Sequence, residues 1–165
     1  MITVWSGSGL AWRGGLFALC GGLVVLACTH GGGPAQGQDA TLKPSFGSVT
    51  LKAGFPKDPH VVKLVAGGEI QTNKGGFMHY VAKPPDFSLD YTAGNFALTI
   101  YAESKADTTL LINLPDGTWV ADDDSGGNLN PLLKFAKPQS GRYDIWVGTI
   151  GKDAAPAVLK ITELK

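Results

Sequence analysis

The chain has 165 residues, enough for one domain, and 44% of them are hydrophobic, enough to fill a core. Fourteen basic and fourteen acidic side chains cancel with no basic patch or charge block, which removes the electrostatic case for nucleic acid. Helix formers are sparse, whereas Gly (23), Pro (10), Thr and Val are frequent, which favours an all-β fold with many turns.

Residues 1–27 read as a signal peptide. Arg13 is the only charge in the first 37 residues and precedes an apolar run, Leu16 to Ala27, that is too short to span a bilayer. The run ends in Val25-Leu26-Ala27-Cys28, which resembles a bacterial lipoprotein box, so Cys28 is the expected lipidation site. The expected location is the cell envelope, with the protein anchored in a membrane through that lipid alone and facing the periplasm or the cell surface. Ala35-Gln36-Gly37 offers an ordinary signal-peptidase site instead, with plain secretion and a mature N-terminus at Gln38. Residues 28–43 are Gly-rich and polar, as a flexible tether should be. Both cysteines, Cys20 and Cys28, fall inside the targeting segment, so the mature body holds together by packing, without disulfides. At roughly 125 residues it is large enough to do so.

From residue 44 onward, short apolar runs separated by turn residues predict an antiparallel β-sandwich. Strands are expected at Phe46 to Leu51, His60 to Val65 and Phe87 to Tyr91, the last with Phe87, Leu89 and Tyr91 on one face. Residues 75–85 are less regular. Further strands are expected at Phe96 to Ala102, Thr108 to Leu114, Trp119 to Ala121, Leu132 to Phe135, Tyr143 to Thr149 and Ala157 to Thr162. Pro115-Asp116-Gly117 is a tight hairpin turn.

The most chemically suggestive stretch is Ala121 to Gly127, ADDDSGG. Asp124-Ser125-Gly126-Gly127 resembles the tetrapeptide around the nucleophile of trypsin-type serine peptidases. That mechanism needs a histidine beside the serine and an aspartate to orient it. Asp123 stands where those enzymes need Gly, and His60 and His79 read as surface or loop residues, so no catalytic residue is assigned. The three carboxylates instead suit a hard cation. Calcium takes six to eight oxygens from a sharply turning loop, and Asp122, Asp124 and Asn128 are the candidate ligands, with Asp107 or Asp116 from adjacent connections. The alternative is a solvated turn whose Asp and Asn side chains cap the local backbone.

The aromatic residues Tyr80, Tyr91, Tyr101, Trp119, Tyr143 and Trp146 are core fillers on this reading. Trp146 is the expected exception. It faces away from Tyr143, Ile145 and Val147 and is the candidate contact for a glycan or peptide.

The segment DTTLLINLPDGTWVADDDSGGNLNPLLKFAKPQSGRYDIWVGTIG, with PSFGSVTLKAGFPKDP, VAGGEI and PPDFSLDYTAG upstream, resembles the bacterial pre-peptidase C-terminal domain and its free-standing secreted relatives. The resemblance spans residues 44–163. It implies a jelly-roll-like sandwich and an accessory, non-catalytic role. Relatives often carry cysteines where this chain has Ala121 and the stretch Gly75-Gly76-Phe77-Met78, so a disulfide pinning those two loops is missing here. The resulting expectation is a non-catalytic exported binding module, with an envelope protein or glycan as partner. A structural domain that assists the folding or secretion of a partner is the alternative, and a serine peptidase the weakest reading.

Overall fold

The computed structural model describes residues 37–164, so the signal segment, Cys28 and most of the tether lie outside the described residues. The described residues form eleven strands and no helix. They pack as two sheets in a sandwich, as the composition predicts.

The larger sheet is built around β10 (Gly141–Thr149). One edge of β10 pairs with β7 (Thr108–Asn113), which in turn carries β8 (Trp119–Asp122). Its other edge is shared. The first half pairs with β5 (Phe87–Thr92) and the end with β4 (His79–Val81). Outside these lie β1 (Ser48–Lys52) on β5 and β3 (Ile70–Thr72) on β4. The second sheet runs β2 (His60–Ala66), β11 (Ala155–Thr162), β6 (Leu98–Ser104), β9 (Leu132–Phe135). Every pairing is antiparallel except β1 with β5, which is parallel and corrects the expectation of a wholly antiparallel fold.

The main core follows the period of two that the strands dictate. Phe87, Leu89 and Tyr91 share it with Leu110, Ile112, Tyr143, Ile145 and Val147 from the first sheet. Leu64, Leu98, Ile100, Leu159 and Ile161 face them from the second. Each such large side chain contributes about 1.5–3 kcal/mol by leaving water, and these contacts replace the absent disulfides.

Two strands start later than the sequence predicts. Gly47 takes a φ of 92°, so β1 begins at Ser48, and Phe46 is left partly exposed. Phe96 is 53% exposed and lies outside β6. The predicted hairpin is present: Gly117 adopts a φ of 82° and Leu114 N donates to Thr118 O at 2.8 Å.

The two outer faces differ. That of the larger sheet carries a second cluster of Val81, Leu111 and Trp146, packed by Ala40, Trp119 and Ala121. Residues 73–77 fold over it, and a Cβ at Gly75 would stand 2.2 Å from that of Ala121, so only glycine fits there. On the outer face of the second sheet the β2 side is open, with Val61 and Val65 about half exposed.

Candidate functional site

The acidic turn joins β8 to β9 and so connects the two sheets. Asp122 is its organiser. One carboxylate oxygen accepts the Ser125 hydroxyl at 2.6 Å, and the other accepts the backbone N–H of Ser125 at 3.0 Å and of Leu132 at 2.8 Å. Gly127 N donates to Asp124 O, and Gly126 N to Asn130 O. Asn130 is buried, and its side-chain oxygen accepts Ser104 N and the Thr108 hydroxyl. These bonds hold Asn128 and Leu129 at positive φ (55° and 59°), a conformation that bulky side chains adopt only when their surroundings impose it.

Ser125 therefore gives its proton to an aspartate. His79 is engaged elsewhere. Contrary to the surface or loop position expected from the sequence, it is fully buried in β4, because the 73–77 loop closes over it. Its Nε2 meets the Lys74 carbonyl at 3.1 Å, which can only accept, so Nε2 carries the proton and Nδ1 accepts the Thr109 hydroxyl at 2.8 Å. Burial lowers its pKa, partly offset by the Lys74 bond and by Asp123. His60 starts β2, half-buried, with its ring 5.8 Å from that of Phe87. Neither histidine has Ser125 as a hydrogen-bond partner among the described residues.

The proposed calcium ligands do not gather as one set. Asp116 sits in the β7–β8 hairpin, at the opposite end of β8 from Asp122. Its carboxylate accepts from Gln139 and Thr118, which hold its pKa down at about 2. Asp107 does approach the turn. Burial raises its pKa, and the charges of Asp124 and Asp123 raise it further, while its Oδ1 is buried without a hydrogen-bond partner. Asn128 offers its backbone carbonyl to the Asn130 amide. No three His, Cys, Asp or Glu side chains among the described residues converge to hold a metal ion.

Trp146 is fully buried, which corrects its reading as an exposed contact residue. It does face away from Tyr143, Ile145 and Val147, but that face is covered. Its ring lies 5.2 Å from Trp119, over which Lys74 Nζ sits at 3.6 Å from the ring centroid. Its indole Nε1 is buried with no hydrogen-bond partner.

Asp86 is a buried charge that the sequence reading did not single out. Its signal was the run Pro84-Pro85-Asp86-Phe87, an acid against the first apolar residue of a strand. It fills the gap where the edge of β10 passes from β5 to β4. Its Oδ2 accepts Val147 N–H at 2.7 Å, its own N–H donates to Ile145 O, and Gly67 N–H satisfies Val147 O. Burial pushes its carboxyl up to about 7, against the lowering effect of the Val147 bond.

No family model matches the chain. No curated protein matches it either. Among solved structures the chain is similar to PliG of Aeromonas hydrophila, a periplasmic lysozyme inhibitor of g-type lysozyme. The identity is 16% and the TM-score 0.37, over 70% of this chain and 96% of that one.

Proposed function

We propose that this protein is a non-catalytic, exported binding module at the bacterial cell envelope, anchored through Cys28. The observation that carries the non-catalytic reading is the Ser125–Asp122 hydrogen bond of 2.6 Å, made while both nitrogens of His79 are engaged by Thr109 and Lys74. A serine nucleophile needs a base within hydrogen-bond reach, and a carboxylate that also holds two backbone N–H groups is a turn organiser rather than such a base. The resemblance to pre-peptidase C-terminal domains implies the same accessory role. The apolar run ending at Cys28 supports export and lipidation.

The reading is tested on the full chain in a bacterial host. Metabolic labelling with a fatty-acid analogue should mark the protein and be lost in Cys28→Ser. A serine-directed phosphonate should leave Ser125 unlabelled. A phosphonate adduct on Ser125 would overturn the non-catalytic assignment, and a mature N-terminus at Gln38 would overturn the lipid anchor.

A further inference from the structure

We infer that edge strand β2 accepts an extended acidic segment of a partner protein as a fifth strand of the smaller sheet, an inference that rests on the binding-module reading above. Among the described residues β2 is bonded on one side only, to β11. Of the edge strands it is the longest, at 7 residues, against 5 for β1, 3 for β3 and 4 each for β8 and β9. A free edge of this length presents a row of backbone donors and acceptors to any chain that can align with it.

The side chains state which chain that is. Val62, Leu64 and Ala66 point inward, so Val61, Lys63 and Val65 share the outer face. Val61 is 48% and Val65 50% exposed. Lys63 is also exposed, and the residue opposite it on β11 is Val158, which offers no counter-charge. The ion pair found on this face among the described residues joins Lys160 to Glu103 at 2.7 Å. The complement to Val61-x-Lys63-x-Val65 is therefore an extended segment reading apolar, any, acidic, any, apolar. Such cross-strand pairs each contribute roughly 0.2–1 kcal/mol beyond the backbone bonds.

Two other occupants are disfavoured. A second copy pairing antiparallel through the centre of β2 would set Lys63 against Lys63, and like charges directly opposite destabilise a sheet. A membrane surface has no peptide backbone to pair with the donors and acceptors of a strand edge.

The test is backbone hydrogen exchange on the full chain in detergent. The probe is a heptapeptide of alternating threonines, with valine, glutamate and valine between them. The amides of β2 should exchange more slowly with this peptide. A lysine-for-glutamate counterpart should bind about tenfold more weakly, and Lys63→Glu should reverse that preference. Equal protection by both peptides, or a preference unmoved by Lys63→Glu, would overturn the proposal. So would protection of β2 that appears with anionic vesicles alone, or on concentrating the protein without peptide. The same samples are treated with the serine phosphonate. A labelled Ser125 defeats the non-catalytic reading whatever the peptides do, whereas unprotected β2 with unlabelled Ser125 defeats strand addition alone.

Discussion

Asp122 and Leu132 are joined by a 2.8 Å bond from the Leu132 N–H to the Asp122 carboxylate, across a sequence separation of 10. Asp122 ends β8 and Leu132 begins β9, so one side chain ties the last strand of the larger sheet to the edge of the smaller. The same carboxylate holds Ser125 by its N–H and its hydroxyl. Asp122→Ala is expected to lower stability by about 1–3 kcal/mol, because it strands donors that a charged acceptor satisfied. Ser125→Ala removes one hydroxyl from a solvent-exposed bond and should cost no more than about 1 kcal/mol. Urea unfolding of the two variants checks this. Equal losses would mean that Asp122 does not stitch the sheets.

Trp146 gives the largest expected effect of any single truncation. It is fully buried between β10 and the covering residues, and Trp→Ala in such a place costs about 3–5 kcal/mol. Trp119 is only half-buried, so Trp119→Ala should cost less. Gly75→Ala should also destabilise, since its new Cβ would meet Ala121 at 2.2 Å and the φ of 91° strains any L side chain. Thermal unfolding orders the three. A Trp146→Ala protein as stable as the parent would place the indole on the surface.

Stability should fall with rising pH through Asp86. Its folded pKa of about 7 lies above its ordinary value of 3.8, so the folded state holds the proton more tightly than the unfolded chain. The contribution is present below pH 4, is lost as pH climbs towards 7, and is flat above. Its ceiling is about 4 kcal/mol. Asp86→Asn keeps an acceptor for Val147 N–H and removes the charge, so it should be more stable than the parent at pH 8 and similar at pH 4. His79 acts in the opposite sense. Its lowered pKa makes the folded state lose stability as pH drops below the ordinary histidine range. Urea titrations at pH 4, 6 and 8 separate the two, and an Asp86→Asn protein with the parent's pH profile would show that Asp86 ionises freely.

The sandwich was legible because its main strands alternate strictly: Phe87, Leu89 and Tyr91, or Tyr143, Ile145 and Val147, bury one face as their spacing predicts. Strand β3 was missed because three residues carry no period, and β4 because it lies inside a Gly- and Pro-punctuated stretch. The environments of Trp146 and His79 were illegible for a different reason. Alternation says which side of β10 Trp146 faces, but not that residues 73–77 and Ala40 return from elsewhere in the chain to cover that side. At β2 the opposite holds. His60 to Val65 is read correctly as a strand, but with Val61 and Val65 on one face and Val62 and Leu64 on the other its apolar residues do not say which face is covered, and Val61 and Val65 are about half exposed.

The acidic turn supplies the sharpest remaining test, because Asp107 sets two outcomes against each other. Its carboxyl is raised by burial and then by the charges of Asp124 and Asp123, and its Oδ1 lacks a hydrogen-bond partner. A bound cation would relieve that repulsion, and calcium at a hundredfold excess over its dissociation constant would then stabilise the fold by about 2.7 kcal/mol. The geometry favours relief by other means. Both oxygens of Asp122 already accept protein donors, and Asp116 lies at the far end of β8. Calcium needs six to eight oxygens, and no cluster of three acidic side chains among the described residues supplies them. The unfolding midpoint should therefore be the same in millimolar calcium and in chelator at constant ionic strength. Asp107→Asn should raise it at alkaline pH, where the parent carboxylate is charged, and the gain should shrink as pH falls and the parent takes up its proton. A calcium-dependent rise that disappears in Asp124→Ala would reverse this, and would make the turn a cation site assembled from Asp107 and Asp124.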